Sequence, residues 1–147
     1  MKAPAFWWTR DGGPLARLLS PAGAVVGAIT ARRMAQHPHE TLDIPVICVG
    51  NPTVGGSGKT PVAIAIARHL QASRRPVFLT RGYGGQGKGP LFVTPGHTAR
   101  DVGDEPLLLA AVAPTVVSAD RAAGGRLAAT HGDVVVMDDG FQNPALA

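Results

Sequence analysis

Residues 44–70 read IPVICVGNPTVGGSGKTPVAIAIARHL, and their order of elements decides the fold. Pro45–Val49 is short, apolar and rich in β-branched side chains, as a parallel strand buried on both faces should be. A glycine-rich turn follows, then an apolar helical stretch from Pro61 to Leu70. Pro61 suits a first helical turn, where a missing backbone N–H leaves no intrahelical bond unmade. Strand, glycine turn, Gly-Lys-Thr and helix form the arrangement that cradles nucleotide phosphates, the P-loop. Thr53, Val54, Gly55, Gly56, Ser57 and Gly58 would line it, the glycines letting backbone N–H groups converge on phosphate oxygens without a side-chain clash. The helix amino terminus adds partial positive charge at the same place. Lys59 is placed to reach the β- and γ-phosphates, and the hydroxyl of Thr60 to ligate Mg²⁺. The usual pattern opens with glycine where this chain has Thr53, and the plain alternative is a strand–helix turn with no ligand. Gly-Lys-Thr at the junction favours a nucleotide.

A second apolar run, Val134–Met137, ends in Asp138 and Asp139. A carboxylate at the carboxyl end of such a strand is where a P-loop protein holds its metal, and Asp138 is the favoured ligand. Adjacent carboxylates on an extended strand point to opposite sides, so at most one of the two is expected to face the phosphates directly, unless the chain turns at Gly140. Asp-Asp-Gly is also a turn signal. Pro76–Thr80 and Thr115–Ser118 read as further short strands, with helices near Glu105–Val112 and Arg121–Thr130 between them. The expectation is an α/β fold, a doubly wound, mostly parallel sheet of the P-loop NTPase type. Its carboxyl edge would gather Arg81, Asp104, Asp120, Arg121 and Asp138 around the phosphate loop.

The connecting loops allow two readings each. In RGYGGQGKG, residues 81–89, Arg81 is placed to pair a phosphate and the glycines would permit a mobile lid; the alternative is a plain surface loop. In VGDEPLLL, residues 102–109, Asp104 is either a helix N-cap or a carboxylate that takes a proton from an attacking hydroxyl. Asp120 and Arg121 read as a cap followed by a solvated arginine, or as part of the site.

The chain has 147 residues, enough for one domain with a real core. Its net charge of +4 lies wholly in residues 1–39, where Lys2, Arg10, Arg17, Arg32 and Arg33 outweigh Asp11. Residues 40–147 carry nine basic and nine acidic side chains, which argues against a nucleic-acid-binding body. The single cysteine, Cys48, reads as a small buried strand residue, and no internal disulfide is possible. In the arm, 14 uncharged residues separate Arg17 from Arg32, too few to cross a bilayer as a helix, and Pro21, Gly23 and Gly27 weaken a continuous one. Leu15, Leu18, Leu19, Val25, Val26 and Ile29 would either pack on the domain or anchor the arm in a membrane interface. Phe6, Trp7, Trp8 and the flanking arginines favour the anchor. Residues 1–39 are thus expected to be an interfacial apolar, basic helix and 40–147 the nucleotide-binding domain.

VGNPTVGGSGKTP, RGYGG, VGDEPLLLA, SADRAAGGR and VVMDDGFQN occur in this order, and together they resemble the tetraacyldisaccharide 4′-kinase family, whose phosphate loop also opens on threonine. The resemblance covers roughly the whole chain. It implies transfer of the γ-phosphate of ATP, with Mg²⁺, to the 4′-hydroxyl of a lipid A disaccharide 1-phosphate at the cytosolic face of a bacterial inner membrane. By the same resemblance Asp104 is the catalytic base, Asp138 and Asp139 serve the metal and the reacting phosphoryl group, and Arg81 and Arg121 neutralise phosphate charge. No obligate protein partner is implied. Two departures stand out: Asn143 replaces a usual histidine, and the family's chains run more than twice as long, so a second domain with a base-assisting histidine is expected beyond this sequence. A GTPase or metallochaperone-type switch is the competing class. Its Asn-Lys-x-Asp motif is missing here, since Lys2, Lys59 and Lys88 follow methionine, glycine and glycine.

Overall fold

A computed structural model describes residues 13–35, 41–50, 58–138 and 146. Among them, strands β1 (Val46–Val49), β2 (Pro76–Thr80), β3 (Leu91–Phe92), β4 (Thr115–Val117) and β5 (Val134–Asp138) form one sheet in the order β1-β5-β2-β4-β3. Helices α1 (Gly13–Met34), α2 (Lys59–Leu70), α3 (Ala99–Val102), α4 (Asp104–Ala110) and α5 (Arg121–Ala129) complete the described elements. The β1–β5, β5–β2 and β2–β4 pairs are parallel, and β3 joins β4 antiparallel.

Central strands β2 and β5 are buried along their whole length, which is why their sequences are continuous apolar runs rather than alternating ones. Phe78 and Val136 face one side, with Ala63 and Ala67 of α2 and Leu109 of α4. Val77, Leu79, Val135 and Met137 face the other, with Ala128 of α5. Each such side chain contributes about 1.5–3 kcal/mol on full burial. Helix α5 lies close against its face: a Cβ on Gly124 would sit 2.6 Å from Ser118 Cβ and 2.7 Å from Leu79 Cδ1. With helices on both faces, the loops that leave the strands' carboxyl ends gather on one edge.

Several expectations are corrected. Cys48 is exposed rather than buried, on β1, an end strand of the described sheet. Strand β3 and helix α3 were not anticipated. Helix α3 is held at its start by Thr98, whose N–H and hydroxyl donate to Asp101 Oδ2 at 2.8 and 2.7 Å. Those bonds, the side-chain one first, hold the Asp101 carboxyl below its ordinary range.

Helix α1 runs unbroken through Pro21 for 22 residues. A proline removes one backbone bond while the bonds on either side remain, so the helix survives the loss. Leu15, Leu18, Leu19, Val25, Val26 and Ile29 are all exposed, Leu18 most of all at 76%, so the reading in which they pack on the domain does not hold. The 20 residues Gly13–Arg32 are also long and apolar enough to cross a membrane by length and composition, contrary to the count from the uncharged core alone. Phe6, Trp7 and Trp8 lie outside the described residues.

Candidate nucleotide site

Strands β1 and β5 are neighbours, with Val49 opposite Asp138, so the carboxyl end of β5 lies beside the point where the phosphate loop leaves β1. Thr53, Val54, Gly55, Gly56 and Ser57 lie outside the described residues. The description resumes at Gly58, whose φ of 73° is a left-handed conformation that favours glycine. Lys59 then opens α2. In that first turn Thr60 Oγ1 donates to Asp138 Oδ2 at 3.0 Å. Residues 78 positions apart in sequence thus place a hydroxyl and a carboxylate together, with Asp138 only 2% exposed. Both are hard oxygen donors, and two protein oxygens with phosphate and water filling the remaining positions suit Mg²⁺.

On the opposite face of the sheet, Asp120 caps α5, its Oδ1 accepting from the Ala123 N–H at 3.1 Å, as its sequence position suggests. Arg121 is not a solvated arginine. It is 4% exposed, and its Nη2 lies 3.5 Å from the main-chain oxygen of Asp138.

Arg81 follows β2 and is exposed. The loop it opens is strapped down, which argues against a mobile lid. A Cβ on Gly82 would meet Val117 Cγ1 at 2.4 Å, and one on Gly85 would meet the Val102 carbonyl carbon at 2.5 Å. The N–H groups of Gln86 and Gly87 donate to the carbonyls of Arg100 and Asp101 at 3.0 and 2.8 Å, and the Ala119 N–H donates to Lys88 O at 3.0 Å. Here the glycines serve close backbone approach.

The same packing places Asp104. Gly103, with φ 92°, caps α4, and a Cβ there would sit 2.5 Å from the Tyr83 carbonyl oxygen. Asp104 is therefore the first helical residue, exposed, and the N-cap reading of its side chain fails. A glycine just before Asp-Glu-Pro at a helix start is the sequence signal for Gly103 as the cap. Lys59, Thr60, Arg81, Asp104, Arg121 and Asp138 all lie on the carboxyl edge of the parallel strands. Asp139 and Asn143 lie outside the described residues.

The sequence profile of the LpxK family, described as tetraacyldisaccharide-1-P 4′-kinase, matches residues 15–147. A tetraacyldisaccharide 4′-kinase of Methylorubrum extorquens (strain PA1) is 56% identical over 149 residues, covering 99% of this chain and 45% of the relative. One of Rhodopseudomonas palustris (strain BisB18) is 53% identical over 150 residues, covering 100% of this chain and 43% of its own length. Among solved structures, the "apo" form of LpxK from Aquifex aeolicus in complex with ATP is similar at a TM-score of 0.72 and 34% identity, covering 91% of this chain and 44% of that one. The chain spans a little under half the length of these relatives. With a P-loop architecture, the Thr60–Asp138 contact and a profile match across nearly all its residues, the chain belongs to the tetraacyldisaccharide-1-P 4′-kinase family.

Proposed function

We propose that this chain is the ATP-binding portion of a kinase that transfers the γ-phosphate of ATP to the 4′-hydroxyl of a lipid A disaccharide 1-phosphate, at the cytosolic face of a bacterial inner membrane. The Thr60–Asp138 hydrogen bond carries the reading, because it joins the end of the phosphate loop to the acidic end of β5. Support also comes from the similarity to an LpxK solved in complex with ATP. Residues 53–60 are assigned to ATP binding, with Lys59 on the β- and γ-phosphates. Thr60 and Asp138 are the groups that would hold Mg²⁺, which when bound neutralises developing charge on the transferred group. Asp139 is assigned to the reacting phosphoryl group. Asp104, exposed beside the loop that follows β2, accepts the proton of the attacking hydroxyl. Arg81 offers its charge to phosphate from solvent, whereas Arg121 is buried with its Nη2 3.5 Å from the main-chain oxygen of Asp138. The remaining length of the relatives would supply a second domain.

The decisive assay is transfer from radiolabelled ATP to the lipid disaccharide 1-phosphate in detergent micelles, by this chain and by a form extended with the remainder of a relative. Transfer by the extended form is the expected result. Hydrolysis of ATP or GTP that ignores the lipid, with no transfer by either form, would replace the kinase by a switch-type P-loop NTPase.

Residues 1–39 act in this proposal as the membrane-interfacial arm. The exposed apolar side chains of α1, flanked by Arg17 and Arg32, are what such a surface needs. Leu18→Glu with Val26→Glu is expected to reduce co-sedimentation with phosphatidylglycerol vesicles about tenfold while ATP affinity stays constant. Unchanged sedimentation would rule out α1 as the anchor.

A further inference from the structure

We propose that Arg121 is a positioning residue for the metal-binding end of β5, holding Asp138 from the sheet face opposite Thr60. The inference rests on the nucleotide-site reading above. Arg121 is the first residue of α5 and 4% exposed. A cation there is doubly unfavourable: burial removes its hydration, and the helix dipole is already positive at that end. Arginine is seldom so buried without acceptors that offset the cost. One of them is the main-chain oxygen of Asp138, 3.5 Å from Nη2. That residue's carboxylate accepts the Thr60 hydroxyl at 3.0 Å. Because α2 packs on one face of the sheet and α5 on the other, Asp138 is gripped from both sides.

The grip is firm because α5 is itself fixed. Asp120 caps it, the Ser118 hydroxyl donates to the Asp120 carbonyl, and Gly124 lies against Ser118 and Leu79. The guanidinium is thus set by the helix start, and through it the height of the strand end that carries the metal-binding carboxylate. Arg81, in solvent at the same edge, is a cation open to phosphate.

The test measures Mn²⁺ binding in the presence of ATP by electron paramagnetic resonance, beside metal-free ATP binding by displacement of a fluorescent ATP analogue in EDTA. Both are done on this chain with Arg121→Met and Arg121→Lys. Arg121→Met should weaken Mn²⁺ binding about tenfold or more, as loss of support behind a ligand typically does. Metal-free ATP affinity should stay within about twofold, and Arg121→Lys should recover part of the Mn²⁺ affinity. Equal losses with and without metal would make Arg121 a phosphate contact and overturn the proposal, as would no loss in either. Should Arg121→Met fail to fold by circular dichroism, Arg121→Lys carries the same comparison with the same deciding outcomes. If the unaltered chain binds no ATP, the nucleotide-site reading falls instead.

Discussion

Lys59→Ala is expected to lower kcat/KM for ATP on the order of 10³-fold in the extended enzyme and to remove most ATP binding by this chain. Lys59 opens α2 directly after Gly58, at the helix end where partial positive charge and phosphate loop coincide. In the proposed site, a charge-assisted contact from Lys59 to the β- and γ-phosphates would be present in the ground state and would strengthen as negative charge builds on the transferred group. Removing it therefore reduces binding and turnover together. Alanine is a good helix former, so the fold should persist. Titration calorimetry with ATP checks the binding part. An affinity within about threefold of the unaltered chain would remove Lys59 from the phosphate site.

Asp104→Asn separates turnover from binding. A positioned general base contributes roughly 10²–10⁴-fold, so transfer should fall by that amount while ATP affinity stays nearly unchanged. The substitution is clean here because Gly103, not Asp104, caps α4, so no side-chain cap bond is lost. Asparagine keeps the shape and removes only the ability to accept the proton as a carboxylate. Single-turnover transfer to the lipid acceptor, at saturating ATP, is the direct readout. Near-normal turnover would leave Asp104 as a first-turn acid that favours the helix dipole and nothing more.

The parallel core was legible because β2 and β5 lie at the middle of the sheet, where burial on both faces demands unbroken apolar runs. Strand β3 and helix α3, of two and four residues, are too short to carry a period, and tertiary pairing with β4 and the Thr98–Asp101 bonds decide them. Pro21, Gly23 and Gly27 each weaken α1 only locally, and the helix tolerates each as a small loss among many remaining bonds. The exposure of Cys48 is not legible in sequence, because its apolar neighbours describe a strand and not that strand's place in the sheet. In the candidate site, the nearness of Thr60 and Asp138 was readable from motif and strand end. The burial of Arg121 was not, since an arginine after a capping aspartate looks the same whether its guanidinium faces water or the interior.

The strapped loop after β2 bears on the thermodynamics of nucleotide capture. Fixing a flexible segment costs about 1–2 kcal/mol of conformational entropy per residue, and a lid that closes on ATP would incur this cost at binding. In this chain the backbone behind Arg81 is already held by Val102, Gly103 and Val117 before any ligand arrives. If Arg81 meets phosphate as proposed, the main chain that carries its guanidinium needs no further arrest. Calorimetric entropy changes on ATP binding should then be insensitive to this loop, and the rigidity that its glycines secure is recovered as affinity.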